Sequence, residues 1–273
     1  MRWLGASRAM LTGLTTTLGP SSLGTGTHAV VVLNDWLCDT STWDAARPYL
    51  DGDAFTWVFA DLRGYGRSRS LAGAHVLEEA AQDVLALADA LGLARFSIVG
   101  HSMSSLVAIH LAQHHGGSGD ESRIERAVVI APPPIGGFGV DDATLAAMQG
   151  LARGDDARRI EGVRRLVGDR LSEGWIRFKA ARWRATSDPE AVADYVTMFA
   201  RRGLPDPARQ VPCPLLAVTG EQDGPPMRAS AVSTMLAPIA PRLVVHAIAE
   251  SGHYPMQETP PLLVSILEPF LRT

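Results

Sequence analysis

The chain has 273 residues, 46% of them hydrophobic and 20% charged, so it is long and apolar enough to bury a large core. Its formal net charge of -4 excludes a global positive field suited to nucleic acid or to an anionic membrane. No stretch approaches the roughly 18 apolar residues of a membrane span, and we expect a soluble protein.

The first 27 residues are rich in Ser and Thr and contain Arg2 and Arg8 but no acid. A targeting sequence can have this composition, but here the apolar run is interrupted and no cleavage site of small residues follows. Cys38 and Cys213 fit two packed thiols in a reducing compartment, so a cytoplasmic location is expected. The segment predicts two short leading strands, Ser7 to Leu11 and Leu14 to Leu18.

Six short runs further along the chain are apolar over most of their length. Runs of this kind are typical of parallel strands that are buried on both faces. They are Ala29 to Leu33, Phe55 to Ala60, Phe96 to Val99, Ala127 to Ile130, Leu215 to Thr219 and Leu243 to Ile248.

Helical patterns alternate with these strands, and the alternation predicts an α/β fold with a mostly parallel central sheet flanked by helices. The helices are expected at Thr42 to Leu50, Glu78 to Leu91, Ser104 to His114, Arg228 to Leu236 and Pro260 to Leu271.

One interval, between residues 132 and 212, contains helical patterns but no strand pattern. The four helices are expected near Asp141 to Leu151, Asp156 to Val167, Leu171 to Ala185 and Asp188 to Arg201. We therefore predict a four-helix cap over residues 134–206, inserted into a core of residues 1–133 and 207–273. From Arg153 to Arg202 there are 12 Lys and Arg against 8 Asp and Glu, which we interpret as solvated helix faces.

Residues with reactive side chains follow the predicted strands. Ser102 comes just after Phe96 to Val99, Asp35 and Trp36 come after Ala29 to Leu33, and Asp223 and His253 come after the last two strands. Ligands of an open α/β sheet bind outside the carboxyl ends of its strands, so these residues are expected to converge. A serine that only caps a helix predicts no such convergence.

The segment Gly100-His101-Ser102-Met103-Ser104 resembles the nucleophile elbow of the α/β-hydrolase superfamily, a strand-to-helix turn with small residues around the nucleophile. Ser104 stands where the family usually has a second glycine, and it keeps the small size. The stretch Asp61 to Ser68, "DLRGYGRS", is also similar to a loop of that family. The order Ser102, Asp223, His253 is the order of this fold.

This resemblance implies a catalytic triad. Ser102 would be the nucleophile, His253 the general base and then the general acid, and Asp223 the group that orients the imidazole. Glu221, close to Asp223, is kept as an alternative acid. The backbone N–H groups of Trp36 and Met103 would form the oxyanion hole.

The pair Asn34-Asp35 stands where relatives usually have His-Gly, and two interpretations of Asp35 remain open. Its carboxylate turns outward and bonds its own loop, or it binds a polar group of the substrate. His101 is expected to be structural or to line the pocket. Trp175 and Trp183 of the cap are expected to form its core or the roof of the pocket.

The implied function is a serine hydrolase that cleaves a small carboxylic ester or lactone through an acyl-enzyme. Alternatives on the same fold are a C–C bond hydrolase, a cofactor-free oxygenase, or a slow-hydrolysing small-molecule receptor, whose cap the segment Pro132 to Gly139 faintly resembles. The expected partner is a small-molecule substrate, with no cofactor, no metal, no nucleic acid and no membrane. The protein is expected to be a monomer or homodimer.

Overall fold

The computed structural model describes residues 17–272, so the predicted strand Ser7 to Leu11 lies outside the described residues. The predicted strand Leu14 to Leu18 lies mostly outside them as well. Its two described residues, Thr17 and Leu18, are not in a strand, and the first strand of the structure begins shortly afterwards, at Pro20.

A single sheet of seven strands forms the centre of the described chain. Its strands are β1 Pro20–Leu23, β2 His28–Leu33, β3 Phe55–Ala60, β4 Phe96–His101, β5 Ile124–Ile130, β6 Leu215–Gly220 and β7 Leu243–Ile248. They lie in the order β1-β3-β2-β4-β5-β6-β7, and only β1 runs antiparallel to its neighbour. The mostly parallel sheet predicted from the sequence is confirmed, and the inner strands β4 and β6 are buried along their whole length.

Helices connect most of the strands and cover the sheet. The core helices are α1 Leu77–Ala90, α2 Ser104–His115, α7 Ala229–Leu236, α8 Pro255–Glu258 and α9 Pro260–Arg272. No helix within residues 17–272 is long and apolar enough to cross a membrane.

The α-helix predicted for Thr42 to Leu50 is wrong. Two short 3-10 helices occupy this part of the chain, Thr40–Trp43 and Arg47–Tyr49. Thr40 donates both its N–H and its hydroxyl to the buried carboxylate of Asp61, at 2.8 and 2.7 Å. This anchor ties the first turn to Asp61, and Pro48 lacks the N–H that a continuous α-helix over these residues would need.

Four further helices lie between β5 and β6, and we call them the helical insertion. They are α3 Asp142–Ala152, α4 Asp156–Val167, α5 Glu173–Thr186 and α6 Pro189–Thr197, followed by a π-helical turn at Met198–Arg202. Each begins after a side chain that accepts a backbone N–H of the first turn. The four caps are Asp141, Asp155, Ser172 and Asp188.

The two ends of the helical insertion meet at a neck next to the core. Leu204 N–H donates to the carbonyl oxygen of Ile135 at 2.7 Å. Gly203 has a positive φ of 64°, and a Cβ there would lie 2.2 Å from the same oxygen, so only glycine fits. The guanidinium of Arg201 adds hydrogen bonds to the carbonyl of Val140. The insertion therefore leaves and rejoins the core at one point.

Candidate active site

Ser102 lies at a sharp turn between β4 and α2. Its φ of +53° falls in the left-handed region that non-glycine residues avoid, and its N–H donates to the carbonyl of Ile130 at 2.8 Å. A Cβ on Gly100 would lie 2.4 Å from the carbonyl oxygen of Ser104, which is why glycine is required. The Ser104 hydroxyl accepts the N–H of His101 at 3.0 Å, an additional role for the residue that replaces a second glycine.

Relief of the backbone strain at this turn should be measurable. We expect Ser102→Gly to raise the free energy of unfolding by about 1 kcal/mol, because glycine adopts a positive φ without cost from Cβ. Ser102→Ala is the matched control, since it removes the hydroxyl and keeps Cβ and therefore keeps the strain. Urea unfolding checks both. Equal stability of the two variants would show that the turn is not strained.

The structure brings Asp223 and His253 into direct contact. His253 Nδ1 lies 2.8 Å from Asp223 Oδ2, and both side chains are almost fully buried. The other carboxylate oxygen of Asp223 accepts the N–H of Gly224 at 2.6 Å. Glu221, the alternative acid, instead accepts the N–H of Ala229 at the start of α7. Asp223 is thus the carboxylate that faces the histidine.

This contact governs the ionisation of both side chains. Burial lowers the pKa of His253, but the charge and hydrogen bond of Asp223 outweigh burial and hold this pKa above its usual 6.5. Burial raises the pKa of Asp223, but His253 and the Gly224 N–H outweigh burial and keep it below 3.8. The carboxylate therefore stays ionised near neutral pH, and the imidazole is a stronger base than a free histidine.

His101, next to Ser102, links the serine turn to His253. Its Nε2 lies 2.7 Å from the carbonyl oxygen of His253, and the two rings are 5.2 Å apart. Burial, followed by the charge of His253, lowers the pKa of His101 to about 3. His101 is therefore neutral near pH 7, and its Nε2 donates to the His253 carbonyl.

Asp35 lies in the loop that follows β2, and its side chain is buried. One oxygen of its carboxylate accepts the N–H groups of Leu37 and Cys38, each at 2.7 Å. The other oxygen lies 3.0 Å from Lys179 Nζ, and both side chains are about 1% exposed. Asp35 does bond its own loop as one interpretation has it, but the expectation that it turns outward is wrong, because Lys179 compensates its charge inside the protein.

The sequence reasoning missed Lys179. It comes from α5 of the helical insertion, where its Nζ also donates to Thr42 Oγ1 at 3.0 Å and lies 4.1 Å from the centre of the Tyr254 ring. The prediction that the positive charges of this region are solvated is wrong for Lys179, whose side chain is about 1% exposed. The one available signal was that Lys179 is the only lysine in a chain otherwise rich in Arg.

The two predicted oxyanion donors follow neighbouring strands. Trp36 comes after β2, and Met103 immediately precedes α2. Within residues 17–272, neither backbone N–H donates a hydrogen bond to a backbone carbonyl. Trp36 itself is fixed from two sides, because its Nε1 donates to the carbonyl of Val192 at 2.8 Å and its carbonyl accepts the Tyr65 hydroxyl at 2.6 Å.

The aromatic residues predicted for the roof lie close to these loops. Trp183 is buried, with its ring 6.0 Å from that of Trp36. Trp175 is half-buried, with its ring 5.5 Å from that of Tyr254, the residue after His253. The helical insertion therefore packs against the loops that carry Trp36 and His253. No group of three His, Cys, Asp or Glu side chains in the described part of the chain is arranged to hold a metal ion.

Sequence comparison places the molecule among known proteins. The Alpha/beta hydrolase family matches residues 30–266, and the chain belongs to this family. A 2-heptyl-3-hydroxy-4(1H)-quinolone dioxygenase from Mycobacteroides abscessus is 27% identical over 166 residues, which are 61% of this chain and 53% of that protein. The chain spans between 35% and 53% of the length of the curated relatives that it matches.

Solved structures share the fold at low sequence identity. A hydrolase from Oleispira antarctica superimposes with a TM-score of 0.81 at 21% identity, over 96% of this chain and 97% of the other. An esterase from Thermogutta terrifontis gives a TM-score of 0.78 at 23% identity, over 93% of both chains. The predicted fold class, an α/β-hydrolase fold with a helical insertion, is confirmed.

Proposed function

We propose that the protein is a serine hydrolase that cleaves a small carboxylic ester or lactone through an acyl-enzyme. The observation that carries this proposal is the 2.8 Å contact between buried Asp223 and His253, together with the hydrogen bond from His101 to the His253 carbonyl and the φ of +53° at Ser102, the residue after His101. A serine with a purely structural role does not require a positive φ, and a histidine with a purely structural role does not require a buried carboxylate that raises its pKa. The esterase from Thermogutta terrifontis, which has the same fold, is in keeping with this chemistry.

In this mechanism the Ser102 oxygen attacks the carbonyl carbon of the substrate while His253 Nε2 takes the hydroxyl proton. The carbonyl oxygen becomes an alkoxide, stabilised by the N–H groups of Trp36 and Met103. His253 then gives its proton to the leaving oxygen as the bond between carbon and that oxygen breaks. Water attacks the acyl-enzyme by the same steps and frees Ser102, while Asp223 keeps the imidazole in the required tautomer.

Residues 134–206 are assigned as the cap and residues 1–133 and 207–273 as the core. Trp175 and Trp183 of the cap would contact the substrate near Tyr254 and Trp36, and His101 would support the floor of the site. Asp35 has both carboxylate oxygens engaged by protein groups, so we assign it a supporting role instead of contact with substrate.

Labelling with a fluorophosphonate tests the function without knowledge of the substrate. We expect one covalent adduct per chain, placed on Ser102 by peptide mapping, because only an activated serine reacts with such a probe. Ser104 and Ser105 lie in the same peptide and provide an internal control for site selectivity. A native protein without an adduct, or with its adduct elsewhere, would contradict the proposal.

A second function is favoured by one observation, the similarity to a protein named as a dioxygenase. In cofactor-free oxygenation His253 would remove a substrate proton, and Ser102 would not form a covalent bond. Loss of natural turnover in His253→Ala, with most of it retained in Ser102→Ala, would establish that chemistry. Loss in both variants would support the hydrolase.

The pH dependence of hydrolysis follows from the pKa of His253. Its neutral form is the base, so kcat/KM should rise with pH through an apparent pKa above 6.5. The charged groups around the imidazole are Asp223, which raises this pKa most, then Asp35, which also raises it, and Lys179, which lowers it. In Asp223→Asn the rise should move to lower pH. Rates of p-nitrophenyl acetate hydrolysis between pH 5 and 9 would show both, and an unmoved limb would contradict the assignment.

A further inference from the structure

Two cations of the helical insertion reach down to carboxylates of the core, and the first is Lys179. Its Nζ binds Asp35 Oδ2 at 3.0 Å, and the opposite oxygen of Asp35 holds the N–H groups of Leu37 and Cys38 at 2.7 Å. Trp36, the proposed oxyanion donor, lies between Asp35 and these two residues. The conformation of this loop is therefore tied to α5 through a buried ion pair.

The second cation is Arg170, in the turn between α4 and α5. Its guanidinium makes a two-pronged contact with Glu258, at 2.5 and 3.3 Å. The same carboxylate accepts the N–H of Gly252 at 2.8 Å and the N–H of Tyr254 at 3.0 Å, the residues on either side of His253. The Glu258 side chain is only 3% exposed.

The Lys179–Asp35 and Arg170–Glu258 ion pairs share the same arrangement. In each, a cation of the insertion neutralises a buried carboxylate, and that carboxylate binds two backbone N–H groups beside a residue of the active site. A buried carboxylate is costly without a partner, so each loop keeps its conformation only while the cation is in place.

We propose that Lys179 and Arg170 are positioning residues, which hold the oxyanion loop and the His253 loop in their working conformations through Asp35 and Glu258. The helical insertion is then a required part of the site as well as its roof. This inference rests on the proposed function for its effect on catalysis, but the structural part of it can be tested alone.

Hydrogen exchange measured by mass spectrometry tests the positioning without any substrate. We expect Lys179→Met to speed exchange in residues 34–43 far more than in residues 250–258, where Lys179 contacts only the face of the Tyr254 ring. Arg170→Met should do the reverse, so each variant is the control for the other. Arg177→Met, an exposed residue of α5, should change neither. Unchanged exchange in the target loop of either variant, or general loosening of both loops by each, would overturn the proposal.

Kinetics then separate positioning from substrate binding. Loss of an oxyanion donor typically lowers the rate by about 10²- to 10³-fold, so we expect kcat on p-nitrophenyl acetate to fall at least about tenfold in Lys179→Met. A positioned general base typically contributes about 10²- to 10⁴-fold, so we expect a fall of at least about tenfold in Arg170→Met as well, because His253 is displaced there. KM should change far less, because the loss falls on stabilisation of the transition state and not on binding of the substrate. Unaltered kcat, or an effect confined to KM, would overturn the catalytic part.

A neutral pair provides the rescue. Asp35→Asn keeps an oxygen for the Leu37 and Cys38 N–H groups, so the double variant with Lys179→Met should recover slow exchange and most of kcat relative to Lys179→Met alone. No recovery would show that the ion pair does not act through Asp35. The Arg170 side chain is 24% exposed, so we expect Arg170→Met to fold. If Lys179→Met does not fold, Arg170→Met still tests the proposal.

Failure of this inference is distinguishable from failure of the proposed function. A wild-type protein that a fluorophosphonate does not label would contradict the hydrolase, whatever the exchange data show. Unchanged exchange in both loops would contradict the positioning role, whatever the labelling shows.

Discussion

Ser102→Ala is expected to reduce the hydrolysis of p-nitrophenyl acetate by about 10⁶-fold, to the level of catalysis that the rest of the site provides. The acyl-enzyme cannot form without the hydroxyl, and no other group takes over as nucleophile. His253→Ala should cost about as much, and the double variant should be hardly worse than either, because the two residues act in one step.

Ser105→Ala is the matched control for this loss. Ser105 lies in the first turn of α2, and its hydroxyl is bound to the carbonyls of Gly100 and Ile130, at 3.2 and 3.3 Å, so it is not free to react. We expect this variant to keep most of its turnover. A Ser102→Ala protein with wild-type rates would exclude the acyl-enzyme mechanism, and additive losses in the double variant would separate the two residues.

Asp223→Asn is expected to lower kcat by about 10⁴-fold while the fold stays intact. The asparagine amide can present an N–H to His253 Nδ1, and the imidazole then carries its proton on Nε2, where the base must accept one. Glu221→Gln is the control, because Glu221 lies near Asp223 in sequence but binds the N–H of Ala229. Circular dichroism and single-turnover rates would be measured for both.

The reverse pattern, with a severe loss in Glu221→Gln and a mild one in Asp223→Asn, would assign the acid to Glu221. A loss of structure in Asp223→Asn would also be informative. The kinetic effect would then come from unfolding, and the pH profile of the folded fraction would have to carry the assignment.

The parts of the site that follow the sheet were predictable from sequence. Buried parallel strands leave a strong local signal, and Ser102 and Asp223 each come shortly after such a strand. His253 follows β7, whose apolar run was also predicted, but β7 lies at the edge of the sheet and is mostly exposed or half-buried, so the prediction that it is buried on both faces is wrong. In a parallel sheet the carboxyl ends of the strands lie at the same edge, so these residues come together without any need to predict contacts between distant residues. The Asp223 to His253 contact is the visible result of that rule.

The supporting contacts could not be predicted in the same way. Lys179 lies 144 residues from Asp35 in the chain, and Arg170 lies 88 from Glu258. Pairs so far apart leave no periodicity in one sequence, and composition made the cations of this region look solvated. The α-helix predicted for Thr42 to Leu50 is wrong for a partly different reason. The Thr40 turn is bonded to Asp61, 21 residues away, but Pro48 is a local signal against a continuous helix that the prediction does not use.

The hydrogen bond between Leu204 and Ile135 at the neck affects which changes the helical insertion can tolerate during evolution. A segment whose two ends are hydrogen-bonded to each other can be lengthened, trimmed or exchanged without rerouting the strands on either side. Doubling its length adds only about 0.6 kcal/mol of closure entropy. Other helical insertions could therefore be fitted to the same core. The ion pairs impose one restriction, because a new insertion would have to supply cations for Asp35 and Glu258, or the core would have to lose those two acids at the same time.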